Sequence, residues 1–191
     1  MGHSAAQSGR ESVTATVLRE ILQPLGLTEA RDVDLGLARR LAAGLISPDI
    51  ASEPALRALH GKTGYGVYLV HEEGWLRGIL ALVMLNEAGH AAVRAGTFDA
   101  LNPALEHAVA AHEEPVAIYG WGILGATRSA AATVVEACRA IIANVPFPVY
   151  ARAATPAGLR MLTAKLDFTP YPDSPDGLLW LPERKSQRRA A

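Results

Sequence analysis

The most constraining feature of this sequence is an alternation of strand and helix patterns in its second half. Residues 115–124 are apolar, aromatic and β-branched, which predicts a strand. A turn of small residues that carries Arg128 interrupts the strand, and residues 130–143 then have helical composition. Residues 147–153 predict a second strand and residues 157–166 a second helix. A helix that joins two strands in this way is expected to be a right-handed crossover between parallel strands.

The turn between the first of these strands and its helix is a candidate anion-binding site. A helix N-terminus offers unpaired backbone N–H groups and a partial positive charge. The small residues 129–132 would let a phosphate reach the backbone, and Arg128 would add a full positive charge. The pattern indicates a pyrophosphate-bearing cofactor. The alternative interpretation is an ordinary alanine-rich helix start with a solvated arginine.

The rest of the chain predicts helices followed by an antiparallel meander. Helices are predicted at Val13–Leu22, Leu35–Leu45, 55–59 and 102–111. Strands are predicted at 66–71, Trp75–Leu85, 90–98 and 177–181. With the crossover unit, this order predicts a mixed α/β fold: a mostly antiparallel twisted sheet, one parallel strand pair and flanking helices.

Length and composition favour one globular domain. The 191 residues are 50% hydrophobic and 19% charged, enough for a substantial core. We expect residues 1–12 to be disordered, 13–182 to form the domain and 183–191 to be a basic, solvated tail. A net charge of −1 gives no case for nucleic-acid binding, and no apolar stretch is long enough to span a membrane. Without an apolar signal segment, a cytoplasmic protein is expected.

The sequence contains few signals for metal or nucleophile chemistry. Its histidines share no ligand spacing, so no metal site is predicted. Cys138 lies among apolar residues of a predicted helix, where a buried structural thiol is expected. The general-base candidates are His71, Glu72 and Glu73 at a predicted hairpin turn, and Glu113 and Glu114 before the strand at residues 115–124. A solvated turn carboxylate is the alternative role for each glutamate.

The order of elements over residues 64–181 resembles the GNAT superfamily of acyl-CoA-dependent N-acyltransferases, and residues 35–59 are similar to that family's early helices. The family's acyl-CoA loop, Q/R-x-x-G-x-G/A, is similar to the six residues that begin at Arg128. The arginine matches, whereas Ala131 and Thr133 replace the two glycines. Alanine suits a helical first turn, where no positive φ is needed, and a threonine hydroxyl can itself donate to a phosphate.

A second family pattern, L-Y-x-K-L-G-F, is similar to residues 162–168. Both leucines, the lysine and the phenylalanine match, while Thr163 replaces the tyrosine and Asp167 the glycine. In many family members that tyrosine is the general acid for the leaving thiolate, a role that an alkyl hydroxyl fills poorly. Because the tyrosine is missing, either another side chain or solvent protonates the leaving thiolate, or the domain has little acyltransferase activity. Tyr119 is the phenol nearest the expected chemistry, so it is the predicted catalytic residue.

The resemblance implies a GNAT-like fold whose parallel strands splay to admit acetyl-CoA or another acyl-CoA as co-substrate. The implied cofactor-binding residues are Ile123, Leu124, Arg128, Ser129, Ala130, Ala131, Ala132 and Thr133. The implied reaction is direct transfer to the amine of a small molecule. One alternative is a CoA-binding or regulatory module with weak or no catalytic activity. Such a module would act as a CoA sensor or would keep the fold only to form a homodimer. Another is an unrelated α/β protein that binds no CoA.

The 115–124 strand also carries a pattern of aromatic and glycine residues. Tyr119 and Trp121 alternate with Gly120 and Gly122, so we expect the aromatic side chains on one face and the glycines on the other. The aromatic residues either pack in the core or form a wall of the acceptor pocket. For the neighbouring Ile123 and Leu124, the alternative to binding the cofactor is simple packing in the core.

Overall fold

A seven-stranded mixed sheet forms the centre of the computed structural model, which describes residues 12–172, 174 and 176–183. The strands are β1 (Leu27–Glu29), β2 (Val67–Glu72), β3 (Trp75–Leu85), β4 (Ala117–Gly125), β5 (Val149–Arg152), β6 (Thr169–Pro170) and β7 (Leu178–Leu181). The α-helices of the described residues are α1 (Val13–Leu22), α2 (Leu35–Leu45), α3 (Glu53–Thr63), α4 (Glu87–Arg94), α5 (Arg128–Asn144) and α6 (Pro156–Leu166).

The strand order is β1-β2-β3-β4-β5-β7-β6. Among the described strands, β4 and β5 are the parallel pair and all other neighbours are antiparallel. The predicted fold, a mostly antiparallel mixed sheet with one parallel pair and flanking helices, is confirmed. The disorder predicted for residues 1–12 and the tail predicted for 183–191 concern residues outside the described ranges, apart from Ser12 and Glu183.

Two apolar layers cover the two faces of the sheet. The layer on one face, which we call the α5 face, joins α1, α5 and α6 to alternate strand residues such as Leu80 and Leu82. The other face, the α2 face, packs α2, α3 and α4 against the intervening residues, including Ile79 and Val83. Because residues 79–85 of β3 are covered on both faces, they form a continuous apolar run rather than an alternating one.

The predicted third strand at residues 90–98 is wrong, because α4 occupies most of this segment. The Asn86 side chain caps the helix by accepting a hydrogen bond from the Gly89 amide at 3.0 Å. The buried residues of α4 are Gly89, Ala92 and Val93, a spacing that places them on one side of a helix. The alanine-rich segment fits either pattern, and the asparagine cap decides for the helix.

The predicted helix at residues 102–111 is also wrong. Within this segment the structure has a 3₁₀ turn at Leu105–His107, followed by an extended connection beside β3. Ala108 forms a β-bridge with Leu85, and the Val109 amide donates to the Met84 carbonyl oxygen at 2.9 Å. Pairing with β3 gives the backbone N–H and C=O groups of this segment their hydrogen-bond partners. In an isolated alanine-rich segment, a helix would supply these partners instead.

Candidate functional site

Strands β4 and β5 run side by side for three residue pairs and then separate. The paired residues are Ile118 with Val149, Tyr119 with Tyr150, and Gly120 with Ala151. Beyond Gly120, β4 continues for five residues to Gly125, whereas β5 ends at Arg152. Among the described strands, none therefore lies beside the β5-facing backbone edge of this last part of β4.

A cleft of about 310 Å³ occupies the space where the two strands separate. Residues 120–125 of β4 form one wall, and residues 151–155, from the end of β5 into the following connection, form another. Helices α5 and α6 close the cleft on one face of the sheet, and the end of α2 contributes Leu45 and Ile46. Arg152 is the charged residue among the described residues that line the cleft, and the other lining residues are uncharged.

The N-terminal turns of two helices border this cleft. Helix α5 contributes Ala131, and α6 contributes Ala157 and Gly158. Each helix has a threonine N-cap, since Thr127 accepts from the Ala130 amide and Thr155 from the Gly158 amide, both at 3.0 Å. The first N–H groups of a helix have no intrahelical partner and carry a partial positive charge. Two such turns beside one cleft make its outer part suitable for a phosphate-bearing ligand.

Gly125 lets the end of β4 lie directly against the first turn of α5. A Cβ atom at this position would lie 2.3 Å from the Ala131 backbone nitrogen and 2.6 Å from the Ala131 Cα. Any other residue would therefore push the strand and the helix apart. The requirement is steric, because Gly125 is not among the residues with positive φ. This contact holds Ala131 at the wall of the cleft.

The hydroxyl of Thr127 joins the start of α5 to the β2–β3 hairpin. It donates to Glu72 Oε2 at 2.8 Å while it accepts from the Ala130 amide. Glu72, a general-base candidate from the sequence, thus supports the N-cap and does not line the cleft. Its negative charge favours the positive end of the helix and opposes an anion bound beside it.

The two other carboxylates that follow residue 112 also have structural partners. Glu113 accepts from the Ala110 amide at 2.8 Å. Glu114 accepts from the backbone amides of Val13 and Thr14, at the start of α1. Neither carboxylate lines the cleft, so the structure assigns both to the ends of local elements.

The predicted cofactor-binding residues are divided between the cleft, the core and the surface. Three line the cleft: Ile123, Leu124 and Ala131. Three are exposed on the first two turns of α5: Arg128, Ser129 and Ala132. Thr133 is half-buried and does not line the cleft. Ala130 is fully buried, so its side chain belongs to the core and its amide is already bonded to Thr127.

A β-bulge at Trp121 changes the faces of the neighbouring glycines. Ala81 pairs with Gly122 and Leu82 pairs with Gly120, which leaves Trp121 as the extra residue on β4. Gly120 lies beside Leu82 on the α5 face, while Gly122 lies beside Ala81 on the α2 face. The prediction that both glycines share a face is wrong, because the bulge shifts the alternation by one residue.

The two aromatic residues of β4 lie on the α2 face, as predicted, but in different surroundings. Trp121 is half-buried and lines the cleft, and its indole N–H donates to the Ala100 carbonyl oxygen at 2.6 Å. Tyr119 is 2% exposed, packs against Phe98 and does not line the cleft. Burial raises the pKa of Tyr119, and the nearby Arg152 opposes this rise. The catalytic role of Tyr119 stays a prediction.

Arg152 is a candidate site residue that the sequence analysis missed. It lines the cleft, and its guanidinium pairs with the Asp176 carboxylate. Its buried Nε has no hydrogen-bond partner among the described residues. A hydrogen bond from Ser174, and secondarily the charge of Arg152, lower the pKa of Asp176. The available signal was an arginine at the end of the second strand of the crossover, where strand ends commonly supply ligand contacts.

Cys138 is buried in α5, as predicted, and burial raises the pKa of its thiol to about 12. Within the described ranges, no group of three or more His, Cys, Asp or Glu side chains could hold a metal ion. Among the described residues, every α-helix is too short or too polar to cross a membrane.

No family model matches this chain, and a search of curated proteins finds no match. The resemblance to the GNAT superfamily stays a prediction.

Proposed function

We propose that this protein is an acyl-CoA-dependent N-acyltransferase that uses acetyl-CoA, or another acyl-CoA, to acylate the amine of a small molecule directly. The observation that carries the proposal is the cleft between the separated ends of β4 and β5, with a helix N-terminus on each of two sides. A long, thin, anionic co-substrate suits a cleft of this form.

The parts of an acyl-CoA have complementary surfaces in and around this cleft. The pantetheine arm has amide groups, and the unpaired edge of β4 beyond Gly120 offers backbone donors and acceptors for them. The pyrophosphate suits the first turn of α5, where exposed Arg128 supplies a positive charge beside the positive end of the helix. The apolar walls at Val135 and Met161 suit the methylene groups.

The proposed reaction is a single displacement at the thioester carbonyl. The neutral amine nitrogen attacks the carbonyl carbon, the C–N bond forms, the C–S bond breaks and CoA leaves as a thiolate. A backbone N–H of β4 near the Trp121 bulge would polarise the carbonyl oxygen, and the cleft would align the two reactants. The described lining residues include no carboxylate or imidazole, so water is the proposed acceptor of the ammonium proton.

A second candidate function is an acyl-CoA-binding regulatory module without turnover. Two observations favour it: the scarcity of acid–base groups along the cleft, and the surroundings of Thr163. The Thr163 hydroxyl donates to the Leu159 carbonyl oxygen at 2.9 Å, within its own helix, and the residue is exposed. Thr163 therefore occupies the position of the family's tyrosine without offering its hydroxyl as a general acid at the cleft. Such a module would bind the co-substrate and release it unchanged.

Calorimetric titration with acetyl-CoA tests both functions. We expect micromolar binding, weakened about tenfold or more by Arg128→Glu (about 1.4 kcal/mol). Arg40→Glu is the matched control, because Arg40 is exposed on α2 and the change in net charge is the same. Its affinity should stay within about twofold of the unaltered chain.

The outcomes separate the two candidates from each other and from the unrelated fold. Binding followed by acylation of an amine, detected by release of free CoA thiol, supports the transferase. Binding without thiol release from any amine supports the regulatory module. If the unaltered chain does not bind acetyl-CoA, both functions are refuted. Equal weakening by the two charge reversals would refute the position of the phosphate site.

A further inference from the structure

We infer that the acceptor amine carries a small uncharged aliphatic group, which binds in an apolar pocket on the α2 face, next to the cleft. This inference rests on the proposed function, since it assigns the second substrate of the same reaction. We call this space the α2 pocket.

The α2 pocket has a volume of about 80 Å³. Residues of α2, of the α2–α3 connection, of α3 and of strands β2, β3 and β4 line it, among them Ala42, Ile50, Leu56 and Ala81. The α2 pocket and the cleft share the lining residues Ile46, Trp121, Gly122 and Leu124. The two spaces therefore meet along the last part of β4, where the thioester is proposed to lie.

Hydrogen bonds hold the walls of the α2 pocket in place. The Arg39 guanidinium donates to the carbonyl oxygens of Pro48, at 3.2 Å, and Ala51, at 3.4 Å. These contacts tie the α2–α3 connection to helix α2. On the opposite wall, the bond from the Trp121 indole to Ala100 orients the ring. A pocket whose walls are held in this way loses little conformational entropy when it binds a ligand.

The chemistry of the lining excludes charged groups. Arg39 is the charged residue among the described lining residues, and its guanidinium already donates to two carbonyl oxygens. An ammonium or carboxylate placed here would lose its hydration without a compensating partner. A volume of 80 Å³ corresponds to about three or four carbon atoms, given that a cavity of about 150 Å³ holds benzene. The amine itself would remain at the cleft.

The position of the α2 pocket favours the acceptor over the acyl donor. Direct transfer requires both substrates to be bound together and to meet at the thioester. The cleft is closed by α5 and α6 on the α5 face, where the helix N-termini suit the anionic donor. The α2 pocket lies on the opposite face, so a second ligand can occupy it without displacing the first.

The binding test uses isobutylamine and the indole N–H signal of Trp121 in a ¹⁵N NMR spectrum. We expect isobutylamine to shift this signal, with ethanolamine binding at least tenfold more weakly, because each buried methylene contributes about fourfold in affinity. Ala42→Leu should abolish the shift by filling the pocket. Ala43→Leu is the control, since Ala43 lines neither space. Ala42→Val, which adds less volume, replaces the leucine variant if that one fails to fold.

The activity test compares amines and donors separately. With acetyl-CoA as donor, Ala42→Leu should lower the rate ratio of isobutylamine to ethylamine at least tenfold, while Ala43→Leu leaves it unchanged. The ratio of butyryl-CoA to acetyl-CoA, measured with ethylamine, should not change in either variant. A change in the donor ratio alone would assign the pocket to the acyl chain and overturn the proposal.

Failure of the proposed function and failure of this inference have different signatures. If acetyl-CoA does not bind but isobutylamine shifts the Trp121 signal in an Ala42-dependent way, the pocket is upheld and the transferase is refuted. If the Trp121 signal does not respond to isobutylamine, the pocket assignment is refuted, whatever the result with acetyl-CoA.

Discussion

Replacing Gly125 with alanine tests the contact that holds β4 against the first turn of α5. The added Cβ would lie 2.3 Å from the Ala131 nitrogen, 2.6 Å from the Ala131 Cα and 2.7 Å from the Ala130 carbonyl carbon. All three are backbone atoms, which cannot rotate away as the end of a side chain can. Ordinary contact would require the strand and the helix to separate by about 1 Å. We expect a loss of about 3 kcal/mol in the free energy of unfolding, near the top of the usual range for overpacking.

Thermal unfolding followed by circular dichroism measures this loss. For a domain of this size, about 3 kcal/mol corresponds to a fall in Tm of about 6–12 °C. Gly61→Ala is the matched control, because Gly61 is exposed in α3 and its added Cβ would meet nothing within 4 Å. It should unfold at the same temperature or slightly above, since alanine favours helix by about 0.5–1 kcal/mol. A Gly125→Ala variant that melts within about 2 °C of the unaltered chain would refute the close approach.

Two further predictions concern a helix cap and a half-buried histidine. Thr127→Ala should lower the Tm by about 2–4 °C, because it removes an N-cap contribution of about 1 kcal/mol. Thr127→Ser should keep most of that contribution. Equal Tm values for the two variants would contradict the capping role. Burial lowers the pKa of His90 below its ordinary value of 6.5, so its NMR titration midpoint should lie below that pH. Because the folded state disfavours the protonated ring, His90 should reduce stability as pH falls from about 6.5 through its folded pKa, and His90→Gln should remove this dependence; a midpoint above 6.5 would contradict the effect of burial.

The crossover unit was predictable because its signals are local. An apolar β-branched run, a turn of small residues and an alanine-rich helix each act over a few residues, and β4, α5, β5 and α6 lie where these patterns indicate. The start of α5 was predicted two residues late. The signal for the correct start was Thr127, whose side chain caps the helix.

The errors in the middle of the chain have a common cause. Alanine-rich sequence is compatible with helix and extended structure, so neighbouring elements decide between them. The Asn86 side chain caps a helix and so stabilises helical structure in the residues that follow it. Backbone pairing with β3 keeps the residues near Ala108 extended. The first signal was present in the sequence and was missed, whereas the second depended on a strand more than 20 residues away.

The sequence by itself determined the order of elements within the crossover unit, the parallel pairing of its strands and the chemical character of the helix start after β4. The tertiary structure alone decided that the two strands separate after Gly120, that α6 brings a second helix N-terminus to the same cleft, and that Arg152 lines it. It also decided, through the bulge at Trp121, which face each glycine occupies. Local periodicity specifies which residues can form a strand or a helix. The space between elements depends on contacts among residues distant in sequence, which no local pattern encodes.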